Sequence, residues 1–380
     1  MADLLTLTIE NLAFGGEGIA RDGGRVIFVP FTAPGDVIEA RLVEEKKTFA
    51  RAEIVRIVTP GPDRTAPPCP YHYQGPGQPK QGACGGCQYQ HLTYEAELKA
   101  KAGHVAEALV RIGKLALPEG EAFEPILASP QPYGYRNRIT VHRSEGGKGN
   151  RIGFHRAGSN EVVDIPHCLI AAPEVNDALA VLRRTELAPK RGRAAHFTRP
   201  THFSLRHPDL PPSAFHQVNL FLLGPLRDLV TEWTGNGHRL VEGYCGGGFF
   251  TQALADRFAS IAGIESDARA LRDARRKPLP NVEWIEGTVE EKLADALAKE
   301  EADALLLDPP REGLAPGAVQ AILDAAPAPK KIVYVSCNPA TLARDGAKLA
   351  ARYALKRVRP VDLFPRTAQV ETVTLWERKG

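Results

Sequence analysis

A cysteine that ends one apolar segment and a glutamate at the head of another form the pair in this sequence best suited to covalent chemistry. Ile332-Val-Tyr-Val335 runs into Ser336-Cys337-Asn338-Pro339, and Asp362-Leu-Phe-Pro-Arg-Thr-Ala-Gln-Val-Glu371 leads into the final apolar run, Val370 to Trp376. Cys337 supplies a nucleophile and Glu371 a base. Together they suit a pyrimidine, because carbon 5 of uracil is a poor nucleophile until sulfur adds at carbon 6, and its proton must leave before the thiol can be eliminated. Alone, a cysteine ending a buried strand also reads as inert filler.

Such chemistry needs a methyl donor, and a nucleotide-like cofactor has a plausible cradle. Leu240-Val-Glu-Gly-Tyr-Cys-Gly-Gly-Gly-Phe-Phe-Thr251 reads as a strand, a glycine turn that includes Gly246, and a helix start. Missing Cβ atoms there let backbone N–H groups approach a ligand. One strand-helix unit later, Glu265 ends a strand where α/β folds grip ribose hydroxyls. The loop and the acid do not separate a dinucleotide from S-adenosylmethionine. Asp308-Pro-Pro-Arg-Glu-Gly313, after Leu305-Leu-Leu307, sets a carboxylate in a rigid turn on the same ligand side.

Four further cysteines lie in loop contexts: Cys69, Cys84, Cys87 and Cys168. Their spacing allows tetrahedral zinc or an iron–sulfur cluster held by four thiolates. Cys84-Gly-Gly-Cys87 is the more specific part, since its glycines let backbone wrap closely around a bound group. With 6 cysteines in 380 residues, a disulfide framework is not expected, and the thiols should be reduced.

The elements that must position these residues fall into three expected domains. Residues 1–60 alternate in Leu5 to Ile9, Val26 to Val29, Val37 to Leu42 and Ala52 to Val58, which suits a small β-barrel. A proline-rich break at Thr59 to Pro70 opens a central region, 61–211, with a helix from Thr93 to Gly113 and then strands at 138–143, 151–155 and 161–165, read as mostly β. From 212 to 380, strands alternate with helices, which predicts a doubly wound, largely parallel α/β sheet.

The net charge of +3 demonstrates no polyanionic partner, but three basic stretches, Arg136 to Arg156, Arg183 to Arg206 and Lys348 to Arg359, together point toward nucleic acid. No apolar run is long enough to span a membrane, and the first residues carry acids where a signal peptide wants bases; a soluble, cytoplasmic monomer is the expectation.

In this order, Phe215-His-Gln-Val-Asn219, Tyr244-Cys-Gly, Asp308-Pro-Pro-Arg-Glu-Gly313, Ser336-Cys-Asn-Pro-Ala-Thr341 and Asp362-Leu-Phe-Pro…Val370-Glu371 resemble the RNA uracil-5-methyltransferase family across nearly the whole chain. The resemblance implies a class I methyltransferase sheet, with Gln217, Tyr244, Glu265 and Asp308 contacting S-adenosylmethionine and Thr288 standing where the family often has a contacting asparagine. It implies Cys337 as nucleophile and Glu371 as base. It also implies that residues 1–60 are an RNA-binding barrel of oligonucleotide-binding (TRAM) type, although 7 basic against 9 acidic residues make it a weak electrostatic clamp.

Family members with a [4Fe–4S] cluster show the same Cys-Gly-Gly-Cys followed by a Gln-His run, here Gln88-Tyr-Gln-His91, so iron–sulfur is preferred to zinc. His72 is a substitute should Cys69 not serve. The cysteines favour ribosomal over transfer RNA as substrate; a transfer-RNA enzyme and a catalytically decayed RNA-binding scaffold are the alternatives. Phe215, His216 and Phe249 are candidate stacking partners for a flipped base. Departures from the family are Glu242-Gly243 for Asp-Leu, Phe249 for asparagine, Gln369 for histidine, an atypical Arg366, and a long insertion from Tyr71 to Ala83.

Overall fold

The computed structural model describes residues 4–76, 83–144, 151–187, 201–210 and 217–380. They group into two compact units, one of Met1–Ala100, Gln131–Asp209 and Phe364–Ala368, the other of Lys101–Pro130, Leu210–Leu363 and Gln369–Gly380.

In the first unit, the alternating N-terminal sequence forms β1 (Leu5–Thr8), β2 (Asn11–Leu12), β3 (Gly18–Asp22), β4 (Arg25–Val29), β5 (Val37–Glu45) and β6 (Phe49–Thr59). They join in the order β1-β5-β6-β4-β3-β2, antiparallel except between β4 and β6. A bond from Glu10 N–H to the Ile19 carbonyl, 2.8 Å, ties the chain leaving β1 to β3. The inward positions, among them Leu7, Ile27, Val29 and Ile38, form their own core. Arg21, Arg25, Arg41, Arg51 and Arg56 each pair with a glutamate, so the charge of this sheet is neutralised within it.

Helix α1 (Tyr94–Arg111) follows, then β7 (Arg138–Arg143), β8 (Ile152–His155), β9 (Val162–Asp164), α2 (Pro173–Leu187) and β10 (His202–Arg206). The antiparallel order β10-β7-β8-β9 alternates apolar and polar residues: Ile139 and Val141 are buried, while Arg138, Thr140 and His142 take the other face. α2 is an addition to the strands read from the sequence; it buries Val175 and Leu179.

The second unit holds α3 (Leu223–Thr234), β11 (Gly237–Gly243), α4 (Thr251–Leu254), β12 (Phe258–Glu265), α5 (Ala268–Ala274), β13 (Val282–Glu286), α6 (Val289–Ala298), β14 (Ala304–Leu307), α7 (Pro316–Asp324), β15 (Lys331–Ser336), α8 (Pro339–Leu349), β16 (Tyr353–Val361) and β17 (Glu371–Arg378). Its seven-stranded sheet has the order β13-β12-β11-β14-β15-β17-β16. The pairs from β13 to β15 are parallel, and β17 runs antiparallel between β15 and β16. β14 (Ala304-Leu-Leu-Leu307) is buried at every position, as a central strand covered on both faces must be.

The basic stretch Lys348 to Arg359 becomes the end of α8 and edge strand β16. Arg357 and Arg359 bind Glu124, Lys356 pairs with Glu377, and Arg352 donates to the carbonyls of Leu323 and Ala325. Its charges thus serve the unit itself. Lys101 and Asp362 form a fully buried ion pair, 2.6 Å apart. Among the described residues no helix is long and apolar enough to cross a membrane.

Candidate active site

The carboxyl edge of this sheet collects the residues singled out above. β11 ends at Gly243, and Tyr244 takes φ 62°, a left-handed conformation rare for a side chain with Cβ and common where function holds strain. Gly246 and Gly248 also have positive φ, and a Cβ on Gly248 would lie 2.9 Å from the Trp284 ring. The turn is tied to the neighbouring strand: Gly246 N–H donates to Glu265 Oε2 at 2.9 Å, and Asp267 N–H donates to the other oxygen at 2.7 Å. Glu265 is therefore oriented while remaining half-buried. The buried Cys245 packs beneath the turn and is not part of its ligand face.

The departure Glu242-Gly243 has a local explanation. A Cβ at Gly243 would sit 3.0 Å from Leu307, so that leucine fills the space a side chain would need. Glu242 is buried, and its carboxylate accepts the Thr251 hydroxyl at 2.6 Å. Burial, with Asp308 adding repulsion, pushes its pKa up to about 8. Thr288 stands at the N-terminus of α6, and its hydroxyl makes no capping bond to that helix. Phe249 packs edge-on to Phe250. Phe215 and His216 lie outside the described residues.

Asp308 leaves β14 at the same edge, where Gln217 Nε2 donates to its Oδ2 at 3.3 Å. Burial raises its pKa to about 7. β15 delivers Cys337 just ahead of α8, whose first turn is capped by Asn338, accepting from Ala340 N–H at 3.0 Å, and opened by Pro339. The positive end of a helix favours a thiolate. β17 pairs with β15 as far as Ser336 opposite Thr372, so Cys337 and Glu371 both adjoin the last pair of the ladder.

Burial pushes the Cys337 thiol up to about 11, with Glu371 and Asp308 adding to the rise and Arg311 opposing it. Burial and Asp308 also hold the Glu371 carboxyl well above the usual range, again opposed by Arg311. Arg311 was given no role of its own from the sequence, and Glu242 was noted there only as a departure from the family. The arginine sits inside the Asp308–Gly313 string, which was the signal for it; the burial of Glu242 has no local signature.

In the first unit, the insertion after Cys69 closes on itself. Cys84 N–H donates to the Tyr71 carbonyl at 2.6 Å, and Gln74 Nε2 to the Cys69 carbonyl at 2.7 Å; residues 77–82 lie outside the described residues. Burial raises the pKa of the Cys84, Cys87 and Cys168 thiols, and the charges of neighbouring cysteines, Cys69 among them, add to the rise. Gly86 N–H points at Cys84 Sγ, 3.4 Å away. Among the described residues no three or more His, Cys, Asp or Glu side chains are gathered at the spacing of a metal site. His72 turns its ring to Phe31 and His91, with centroids 5.4 and 5.6 Å away.

The strand order, the glycine turn after β11 and the acid after β12 are those of the class I methyltransferases. Residues 212–379 match the family model tRNA (Uracil-5-)-methyltransferase and residues 4–55 match the TRAM domain. An uncharacterized RNA methyltransferase of Aquifex aeolicus is 30% identical, covering 99% of each chain. The 23S rRNA (uracil(1939)-C(5))-methyltransferase RlmD of Klebsiella pneumoniae is also 30% identical, over 99% of this chain and 96% of its own. This chain belongs to the RNA uracil-5-methyltransferase family. Its fold is similar to that of the tRNA (uracil-54, C5)-methyltransferase of Pyrococcus abyssi, solved with S-adenosyl-L-homocysteine, at a TM-score of 0.68 and 24% identity over 98% of this chain and 100% of that one.

Proposed function

We propose that this enzyme methylates carbon 5 of a uridine in 23S ribosomal RNA, with S-adenosylmethionine as donor. The observation that carries the mechanism is the β15–β17 ladder, whose last pair, Ser336 and Thr372, adjoins Cys337 and Glu371, together with the charges of Glu371 and Asp308 acting on the Cys337 thiol. The ribosomal target rests on the full-length similarity to RlmD.

The donor supplies an electrophilic methyl group on a sulfonium. Glu265 would hold its ribose hydroxyls, the Gly246 turn would admit it closely, and Tyr244, Gln217, Thr288 and Asp308 would complete its contacts. The open space beside Gly246, where a Cβ would meet no atom within 4 Å, fits a ligand of this kind. Cys337 thiolate forms a bond to carbon 6, and the electron pair of the 5,6 double bond moves toward the carbonyl at carbon 4. Carbon 5 of that enolate takes the methyl, and the sulfonium carbon–sulfur bond breaks with its pair left on sulfur. Glu371 carboxylate takes the carbon 5 proton, the 5,6 double bond re-forms, and the bond from carbon 6 to sulfur breaks to release Cys337. Arg311 favours the ionised forms of both residues.

RNA contact is assigned to residues 1–60 and to the polar face of the central sheet within 61–211, where Arg138 is depressed below its usual pKa by burial and then by the neighbouring Arg206 and Arg136. Residues 212–380 carry the chemistry. Cys69, Cys84, Cys87 and Cys168 would hold a [4Fe–4S] cluster. The charges of Cys69 and Cys168 reach Cys84 and Cys87, and the Gly86 N–H points at Cys84 sulfur; both support that donor set, which is not required for methyl transfer. Free cysteines throughout fit a reducing cytoplasm.

The test is mass spectrometry after incubation with S-adenosylmethionine and RNA containing 5-fluorouridine, whose fluorine cannot leave as a proton does. A methylated protein–RNA adduct, lost in Cys337→Ala, is expected, and sequencing the trapped RNA identifies the target. Trapping of transfer RNA alone replaces the ribosomal assignment; cofactor binding without any adduct replaces the enzyme with a decayed scaffold.

A further inference from the structure

We propose that the catalytic unit carries an RNA-binding surface of its own, a cationic track along α5 that ends in a groove beside Trp284; this rests on the reading of RNA as the substrate. Residues 269–277 hold Arg269, Arg272, Arg275, Arg276 and Lys277 against one acid, Asp273, a local excess larger than the +3 of the whole chain. All five cations are exposed. Little of their charge is cancelled in place. Arg276 pairs with Asp273 at 3.3 Å, and Arg275 donates to the Trp284 carbonyl at 3.3 Å. Among the described residues no carboxylate pairs with Arg269, Arg272 or Lys277. The arginines of the N-terminal sheet, and Arg357 and Arg359 of β16, are by contrast matched by glutamates.

The track leads away from the cofactor edge toward a place where a base can lie. α5 begins at Ala268, just past Glu265 at the carboxyl edge of the sheet, and the chain comes back to the amino end of β13 at Val282. At about 1.5 Å per helical residue, Arg269 to Lys277 spans on the order of 10 Å. That length meets several phosphates of a strand charged about every 3.4 Å along its axis. At the far end, Arg275, Lys277, Leu279, Pro280 and Trp284 line a groove of about 270 Å³. Trp284 is half-buried and its ring is wedged under the cofactor turn, since a Cβ on Gly248 or Gly263 would lie 2.9 or 3.1 Å from it. A fixed aromatic ring with cations beside it suits a nucleic-acid strand, because the cations take phosphates and the ring takes a base. A small anion uses neither the length of the track nor the ring, and an acidic protein segment supplies no base to stack.

Trp233 and Trp376 are buried, so indole fluorescence open to a stacking base comes from Trp284. Titrating the full chain with an oligouridylate of roughly 20 nucleotides should quench that fluorescence, with an affinity that falls as salt rises. Arg272→Gln, Arg276→Gln and Lys277→Gln combined should weaken binding about ten- to hundred-fold at about 0.1 M salt and reduce the slope of log affinity on log salt by about two. The quench at a given RNA concentration should fall with the affinity. Binding seen by anisotropy of the labelled oligouridylate without any quench overturns the proposal and leaves the RNA reading standing. Binding and quench that are unchanged in the combined variant do the same. Quenching by poly-glutamate and not by oligouridylate overturns it in favour of an acidic protein partner. If the parent chain binds neither oligouridylate nor ribosomal RNA, the RNA reading falls first and this proposal with it. The quench is read on the parent chain, so the outcome does not depend on the variant folding.

Discussion

Replacing Glu242 by glutamine should change how the stability of the catalytic unit depends on pH. The carboxyl is buried, and its pKa lies at about 8 against an unfolded value of 4.5. The native state therefore holds this proton more tightly than the unfolded chain does. Stability from this group is greatest below pH 4.5 and is lost as pH rises through about 8. At about 1.36 kcal/mol per pH unit, the loss is about 3 kcal/mol at pH 7 and about 5 kcal/mol once the group is fully ionised. Glutamine keeps the shape and an oxygen for the Thr251 hydroxyl. Its amide N–H groups add a desolvation cost of about 1–3 kcal/mol, but that cost does not vary with pH. The readout is the difference between urea midpoints of Glu242→Gln and parent, measured from pH 5 to 9 without cofactor. The difference should move steadily in favour of the variant as pH rises. A difference constant across that range would refute the assignment of a buried, proton-holding Glu242.

Three further outcomes follow from other residues. S-adenosylmethionine should bind more tightly as pH rises through about 7, because a cationic sulfonium favours ionised Asp308, whose pKa burial has raised to about 7; calorimetry in buffers of different ionisation heat should show proton release, and proton uptake would contradict this. Lys101→Met should cost about 3–5 kcal/mol by removing the cation paired with the buried Asp362, and the double variant with Asp362→Leu should recover much of it in thermal unfolding. Cys84→Ser and Cys87→Ser should each lower the iron content of anaerobically purified protein and weaken its visible absorbance, while 5-fluorouridine trapping by Cys337 continues.

Elements with a strong local period were legible in the sequence. Val26 to Val29, the α1 stripe and Ala304 to Leu307 declare strand, helix and buried strand through the spacing of their own apolar residues. β16 was not legible, because Lys348 to Arg359 looks like a solvated basic surface until Glu124 and Glu377 are brought beside it. The insertion after Cys69 looked like an obstacle to a four-cysteine set until the bond from Cys84 N–H to the Tyr71 carbonyl showed that its two ends lie side by side.

Residue types and local patterning carry the chemical inventory and the strand ends that hold it: Glu265 ending one strand, Asp308 after another, Cys337 before a capped helix. Which of them become neighbours is a property of the folded chain. Alternation reports which face of a strand is buried, but the partner in a sheet is chosen by long-range hydrogen bonding and packing. The antiparallel insertion of β17 between β15 and β16 brings the strand ends that carry Glu371 and Cys337 together, and it is specified by contacts far apart in the chain. The raised proton affinities of Glu242, Asp308 and Glu371 arise in the same way, since they come from the burial of several acids around one edge.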